Sequence, residues 1–333
     1  MRFIIYGAGA IGAAIGARLQ QSGQEVVLIA RGAHAQTLRE RGLRLESHAG
    51  VEQLTVDVVE HPSEIQFRAG DLVVLAVKTQ DLTAALDALA AVAPRDLPVA
   101  CAQNGVEAER LALRRFDHVY GIAVLVPAVY LEPGVVQVFA TPLTGILDLG
   151  RYPHGRDSTS EQLAAALRGA NFGSEVRDDI QRAKYGKLLS NLGNAIEALS
   201  GPAARKGSVA ELVREEALAV MRAAGIEYDL AGLAARAEAV VARPLAGQAR
   251  PGGSSWQSLS RQTGNIESDY LNGEIVLLGR LHGVPTPVNR LLQRLANEYA
   301  RNRLPPGSLA LESLQQQIER EVAAAGTDKG RPS

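Results

Sequence analysis

The chain opens MRFIIYGAGAIGAAIG. Phe3 to Tyr6 is a short apolar run of the kind that makes a buried strand. It passes directly into Gly7-Ala8-Gly9-Ala10-Ile11-Gly12, which fits G-x-G-x-x-G, and helical periodicity follows through Leu19. Strand, glycine turn and helix in that order separate this motif from an ordinary glycine-rich turn. In a dinucleotide-binding unit Gly7 allows the tight turn, Gly9 lets a pyrophosphate approach the backbone, and Gly12 lets the helix pack closely on the strand. The anion is favoured at the helix N-terminus by free N–H groups and the macrodipole.

The second strand narrows the cofactor. Val26 to Ala30 is apolar, and the chain leaves it through Arg31-Gly32. NAD sites usually carry Asp or Glu near this strand end, about 20 residues past the glycines, to bind the ribose 2′-hydroxyl. Ala30 and Arg31 hold that place here. A guanidinium suits a 2′-phosphate, and the lack of a carboxylate removes a repulsion. NADPH is therefore expected over NADH, the alternative for Arg31 being a solvated surface arginine.

Further along, Asp71–Val77 and Leu97–Ala102 repeat the strand pattern. The first ends in Lys78-Thr79-Gln80-Asp81, the second in Gln103-Asn104-Gly105-Val106-Glu107, with an alanine-leucine helix to about Val92 between them. Such alternation implies a parallel sheet flanked by helices, and ligands of these sheets bind outside the carboxyl ends of the strands. Gly7, Arg31, Lys78 and Asn104 all fall at such ends. Val119–Val126, Val135–Thr141 and Gly145–Leu149 are expected to continue the sheet with antiparallel or mixed strands. After about Asp178 helices dominate, starting with one long helical pattern from Ile180 to Leu199. The expectation is an α/β fold with an N-terminal Rossmann-type dinucleotide-binding domain over 1–178, a helical substrate and catalytic domain over 179–318, and a frayed tail over 319–333.

The 333 residues suit two domains. A net charge of −1 argues against nucleic acid or an anionic membrane as partner. No apolar run is long enough to span a bilayer, and no signal peptide precedes Met1. The sole cysteine, Cys101, ends an apolar strand, so it is expected to pack rather than react, and the compartment expected is the cytoplasm. The six His lack metal-ligand spacing, so no metal is expected. A homodimer is the expected assembly.

Lys187, Asn191 and Asn194 are spaced i, i+4, i+7 and form one polar stripe on an otherwise apolar helix. The stripe either faces solvent or lines a cleft. Asn is a poor helix former, which favours the cleft. A second polar cluster comes later as Ser254-Ser255-Trp256-Gln257 and Glu267-Ser268-Asp269-Tyr270-Leu271-Asn272-Gly273. The plainer alternative there is a loop followed by a capped surface helix.

Taken in order, G-A-G-A-I-G, V-K-T-Q at 77–80, Q-N-G-V-E at 103–107, K-L-L-S-N at 187–191, S-S-W at 254–256 and E-S-D-Y-L-N-G at 267–273 make the chain resemble the ketopantoate reductases (2-dehydropantoate 2-reductases). The resemblance runs from Met1 to about Leu295. It implies a Rossmann domain, an all-helical second domain, and an active site in the cleft between them. It implies NADPH-dependent reduction of ketopantoate to (R)-pantoate on the way to pantothenate and coenzyme A. Matched position by position, Lys187 is the catalytic lysine that protonates the substrate carbonyl oxygen, and Glu267 the acid that works beside it and contacts the cofactor. Asn104 lies near nicotinamide ribose and substrate, Lys78 on the cofactor side, and Ala128 makes a backbone contact to the cofactor. Asn191 and Ser255 contact substrate, the serine toward its carboxylate, and Arg31 takes the 2′-phosphate.

These residue types suit the chemistry on their own terms. Hydride arriving at a 2-keto carbon leaves an alkoxide whose charge must be neutralised as it forms. A lysine partly desolvated in a cleft can serve as general acid, and a nearby carboxylate positions it and keeps it charged. Asn offers both donor and acceptor. One departure concerns the substrate. The family usually has a second substrate asparagine four residues past the position of Asn191, then Pro, where this chain has Ala195 and Ile196. Asn194, within about 20° of Lys187 on a straight helix, either substitutes or marks an altered pocket. Trp256 either lines the substrate side or packs the domain. The alternatives are a reductase of a different branched 2-keto acid and a non-catalytic NADPH-binding sensor; nothing in the sequence favours an opine-type or 6-phosphogluconate-type dehydrogenase.

Overall fold

The structure, a computed structural model, describes residues 1–328. The chain divides into two compact units, one of residues 1–187 and 228–250, the other of 188–227 and 251 onward.

The first unit begins with β1 (Arg2–Tyr6), α1 (Ala10–Gln21), β2 (Glu25–Ile29) and α2 (Gly32–Arg41). The hairpin β3 (Leu43–Ser47) and β4 (Gly50–Leu54) leads to β5 (Asp57–Val59). Then come β6 (Asp71–Leu75), α3 (Leu82–Ala90), β7 (Val99–Cys101), α4 (Ala108–Leu113) and β8 (Val119–Leu125). The main sheet has the order β5-β2-β1-β6-β7-β8, and every pair among these six is parallel. The direction of the order reverses at β1, as in dinucleotide-binding sheets. A strand covered on both faces must be apolar on both. Along β1, Phe3 and Ile5 enter the core layer that includes Ala13, Ala14 and Ala17 of α1. Ile4 and Tyr6 enter the opposite layer with Leu82 and Leu86 of α3.

The remaining strands of this unit depart from the simple alternation. They are β9 (Ala128–Val129), β10 (Val135–Val138), β11 (Ala140–Pro142), β12 (Gly145–Arg151) and, after α5 (Ser158–Gly169), β13 (Phe172–Gly173). As expected, β12 extends the main sheet antiparallel to β8. The single strand expected over Val135–Thr141 is instead two. β10 joins β3 and β9 in a second sheet of order β4-β3-β10-β9, and β11 belongs to a third. Both halves are apolar, so hydropathy alone does not reveal the change of partner.

The second unit is helical. α6 (Ile180–Asn191) carries the division at 187/188, followed by α7 (Gly193–Ser200) and α8 (Ser208–Ala223). The returning segment holds α9 (Leu230–Ala237) and β14 (Val240–Ala242). The second unit resumes with α10 (Ser254–Ser260), α11 (Asn272–Leu281), α12 (Pro287–Arg301) and α13 (Leu311–Asp328). The continuous helix expected over Ile180–Leu199 is interrupted at Leu192. The Asn272 side chain donates from Nδ2 to the Leu192 carbonyl at 3.2 Å, and a side chain that enters the backbone ladder is a recognised cause of such breaks. The tail expected from Glu319 is helical as far as Asp328, anchored by buried Leu314 and Ile318 one turn apart. Residues 329–333 lie outside the described residues.

The division between the compact units falls inside α6 rather than at its start. Ile180 and Ala183 of α6 pack with Ala123 of β8, and the Lys184 ammonium meets the Glu109 carboxylate of α4 with both side chains buried. These contacts hold the start of α6 in the first unit. Residues 228–250 return to it because β14 pairs antiparallel with β11 and Arg236 gives Asp148 of β12 two hydrogen bonds, at 2.7 and 3.0 Å.

Removing one partner of a buried ion pair leaves an uncompensated charge. Lys184→Met is therefore expected to cost about 3–5 kcal/mol, measured as the fall in urea unfolding free energy. The double variant Lys184→Met/Glu109→Leu is expected to lose less than Lys184→Met alone.

Candidate active site

Six neighbouring parallel strands each deliver a residue at their carboxyl ends. In sheet order these are Glu60 after β5, Arg31 after β2, Gly7 after β1, Lys78 after β6, Asn104 after β7 and Ala128 after β8. Five of the six are candidates from the sequence, and they line the edge where ligands of open α/β sheets bind. Lys78 precedes a single 3-10 turn, Thr79–Asp81. Ala128 lies in β9 opposite Val138.

The glycine turn separates into positions that packing requires and one that it does not. Gly7 has φ +104°, and a Cβ there would lie 2.6 Å from the Val77 nitrogen. A Cβ on Gly12 would lie 2.0 Å from the Gly7 carbonyl oxygen. Gly9, which caps α1, has nothing within 4 Å of a built Cβ. Its backbone faces open space at a helix N-terminus, the environment a pyrophosphate needs. Gly7, Ala8, Gly9, Ala10, Ile11 and Gly12 therefore fit a dinucleotide.

Two groups, one beside this turn and one beside Gly32, had no motif to reveal them. His34 of α2 approaches the Ala8 carbonyl through Nε2 at 2.7 Å and accepts the Gly134 N–H at Nδ1, 3.0 Å. One nitrogen must donate and the other accept, so the ring is the neutral Nε2–H tautomer. Burial pushes its pKa below the ordinary 6.5. Glu60 is the second group. The sequence has no acid at the end of β2, but the neighbouring strand brings one, and its carboxylate accepts from Gly32 N at 3.4 Å. Arg31 itself is exposed, with Nη2 3.4 Å from the Tyr6 hydroxyl.

The ends of β6 and β7 are tied by Gln103, whose side chain donates to the Leu75 and Val77 carbonyls at 3.0 and 3.1 Å. The Gln103 carbonyl accepts from Lys184 Nζ at 3.4 Å. Lys184 thus links the Asn104 loop, α4 and α6, one helical turn before half-buried Lys187. Cys101 is buried, and burial pushes its thiol well above the ordinary range, as suits packing. Among the described residues no group of three His, Cys, Asp or Glu side chains is placed to hold a metal.

The other candidates belong to the second unit. Asn191, Asn194, Ser255 and Glu267 are all buried, at 4, 5, 4 and 5% exposure, so Asn191 and Asn194 do not face solvent and Ser255 and Glu267 do not lie on a surface loop or helix face. Asn191 ends α6, and Asn194 lies beyond the break, on α7, against which α10 with Ser255 packs. Glu267 opens a 3-10 turn that packs on α11 and α12. Trp256 packs against the Gly252 backbone, where a Cβ would fall 2.6 Å from its ring. Glu197 of α7, also buried, accepts the Gly253 N–H at 2.9 Å and pairs with Arg205 at 2.5 Å. Arg205 in turn donates to the Ser190 carbonyl at 3.3 Å. This network fixes α10 relative to the residues around Asn191 and Asn194.

A Rossmann-type sheet with these strand-end residues, in one chain with a helical unit holding buried polar groups, defines a two-part dinucleotide-binding protein. Comparison makes this specific. The family model "Ketopantoate reductase PanE/ApbA" matches residues 3–154, and its C-terminal counterpart matches residues 179–300. The chain belongs to the ketopantoate reductase family and is an oxidoreductase of that type. A 2-dehydropantoate 2-reductase of Mesorhizobium japonicum is 31% identical over 90% of this chain and 98% of its own. The crystal structure of a PanE/ApbA family ketopantoate reductase from Ralstonia eutropha JMP134 aligns with a TM-score of 0.76 and 32% identity, over 91% of this chain and 99% of that one. A D-mandelate dehydrogenase solved with NADH aligns with a TM-score of 0.75 and 26% identity, over 91% and 99%.

Gly12→Ala forces backbone apart and is expected to destabilise by about 1–3 kcal/mol, measured by thermal or urea unfolding. Gly9→Ala is expected to leave stability nearly unchanged while weakening dinucleotide binding in a fluorescence titration. For His34 the folded pKa lies below the unfolded 6.5, so the unfolded chain binds more protons in the window between the two values. Stability from the neutral ring is fully present above about 6.5 and is lost as pH falls through the folded pKa. His34→Gln keeps one donor and one acceptor, and is expected to flatten the fall in unfolding free energy between pH 7 and pH 5.

Proposed function

We propose that this chain reduces 2-dehydropantoate to (R)-pantoate with NADPH as cofactor. The observation that carries the proposal is the burial of Asn191, Asn194, Ser255 and Glu267 on separate elements of the helical unit. Polar side chains gathered in the interior of one unit suit a polar ligand, and a site built to hydrogen-bond its substrate rejects analogues lacking the matching group. Gly7, Ala8, Gly9, Ala10, Ile11 and Gly12 hold the pyrophosphate, Arg31 the 2′-phosphate, and Lys78, Asn104 and Ala128 the nicotinamide half. When bound, the reduced cofactor supplies the hydride. Lys187 gives a proton to the substrate carbonyl oxygen and neutralises the charge that develops there. Glu267 contacts cofactor, orients the Lys187 ammonium and keeps it charged. Asn191 and Asn194 hydrogen-bond the substrate, and Ser255 donates to its carboxylate. The same proposal makes the protein a cytoplasmic homodimer without nucleic-acid or membrane partners. A net charge of −1 and a single reduced cysteine are in keeping with this, and no helix among the described residues is long and apolar enough to cross a membrane.

One observation favours a second reading of the substrate. Buried Ala195 and Ile196 stand where the family usually has Asn-Pro, and a solved relative of the same fold is a D-mandelate dehydrogenase. A different branched 2-keto acid is the alternative.

Initial rates of NADPH oxidation with ketopantoate, a panel of other 2-keto acids, and NADH in place of NADPH test both. Fast turnover with ketopantoate supports the first reading; a poor rate there with a good one elsewhere transfers the proposal to the second. Lys187→Ala is expected to lower kcat by about 10²–10⁴-fold with NADPH binding nearly intact. If the wild type binds NADPH and reduces no keto acid, a sensor replaces the enzyme in this proposal.

A further inference from the structure

The carboxyl end of β5 places an acid where the sequence of β2 has none. Pairing of β2 with β5 sets Ile29 opposite Val59, and Ala30 N donates to the Val59 carbonyl at 3.0 Å. Arg31 and Glu60 therefore leave neighbouring strands at the same level. Glu60 Oε2 accepts from Gly32 N at 3.4 Å, and Oε1 lies 2.7 Å from Arg39 Nη1. Arg39 holds the Glu60 carboxyl below the usual range. An ionised carboxylate thus occupies the first N–H of α2, directly after Arg31.

We propose that Glu60 is a cofactor-selectivity residue, whose carboxylate opposes a 2′-phosphate at Arg31 and lowers the preference for NADPH over NADH. Dinucleotide sites distinguish the two at the adenosine ribose, with an acid for the 2′-hydroxyl or an arginine for the 2′-phosphate. In this chain two adjacent strands deliver both groups at the same level, the Arg31 side chain toward the Tyr6 hydroxyl and the Glu60 carboxylate onto Gly32 N. A phosphate brought to Arg31 meets like charge on Glu60. Arg39, which would add to the attraction, is engaged by the same carboxylate. NADH carries no charge there and gains or loses little. If Glu60 were only a surface ion pair of α2, its removal would change neither cofactor's affinity.

The inference rests on Arg31 marking the adenosine-ribose end of the site, as in the function proposed above. The test is titration of NADPH and NADH against the wild-type full chain, Glu60→Gln and Arg31→Ala, followed by nucleotide fluorescence at low and physiological salt. Glu60 is exposed, so the substitution removes no core packing, and Gln retains an acceptor for a ribose hydroxyl. Glu60→Gln is expected to tighten NADPH by about 5–20-fold, less so as salt rises, and to change NADH by less than about twofold. An unchanged ratio of the two affinities overturns the inference. Arg31→Ala is read separately: NADPH binding that ignores it removes the role given to Arg31, while the ratio in Glu60→Gln alone decides the role of Glu60.

Discussion

The close approach of α1 to β1 is the constraint on which the rest of the first unit depends. A Cβ on Gly12 would fall 2.0 Å from the Gly7 carbonyl oxygen and 3.0 Å from the side chains of Ile5 and Ala76. Only glycine lets the helix begin this near the end of the central strand. Once it does, the first turn of α1 sits at the carboxyl edge, and β2 and β6 can flank β1 with every residue of the strand paired on both sides. The edge so formed takes one residue from each of six strands. Gly9 lies in the same turn, yet nothing in the protein requires it to be small. A glycine that packing requires and a glycine that packing leaves open are distinguishable by geometry alone.

Polar groups then hold this edge in place, and they do so mostly across the chain. His34 links the Ala8 carbonyl to Gly134, a hundred residues away. Gln103 spans two strand ends, and Lys184 reaches from α6 to Gln103 and Glu109. Each is a buried or partly buried polar group whose bonds are made inside the protein, where an unmade bond would cost more than at the surface. The helical unit uses the same device in Glu197 and Arg205, which join α7, α10 and the end of α6. The candidate site residues are thus held by polar side chains outside the candidate set.

Much of the first unit is legible in the sequence because a strand covered on both faces leaves an unbroken apolar run. The apolar runs of β1, β2, β6 and β7 end within two residues of the strands themselves, and they identify the residues at four carboxyl ends. What is not legible depends on partners distant in sequence. Val135–Thr141 is mostly apolar on both sides of its break, and its division between two sheets is decided by β3 and β14. At the helix break, the Leu192 carbonyl takes its hydrogen bond from Asn272, eighty residues later. The return of 228–250 to the first unit depends on Arg236 finding Asp148. Burial of Asn191 and Asn194 can be argued from Asn propensity and spacing, but burial of Ser255 and Glu267 and the polar side chains that order this group cannot.

Glu60 shows the same limit at a single point of chemistry. Reading along β2, the absence of an acid near Arg31 argues for a phosphate. Across the sheet, strand pairing carries an acid to that position from β5. The two statements are both true of the sequence, but only the second includes register. Charge at a ligand edge is a property of neighbouring strands rather than of one strand, because the field at a point sums every group within a Debye length. Under the role proposed for Glu60, selectivity for a phosphate follows from Arg31, Arg39 and Glu60 together, and a motif confined to one strand end reports only part of that sum.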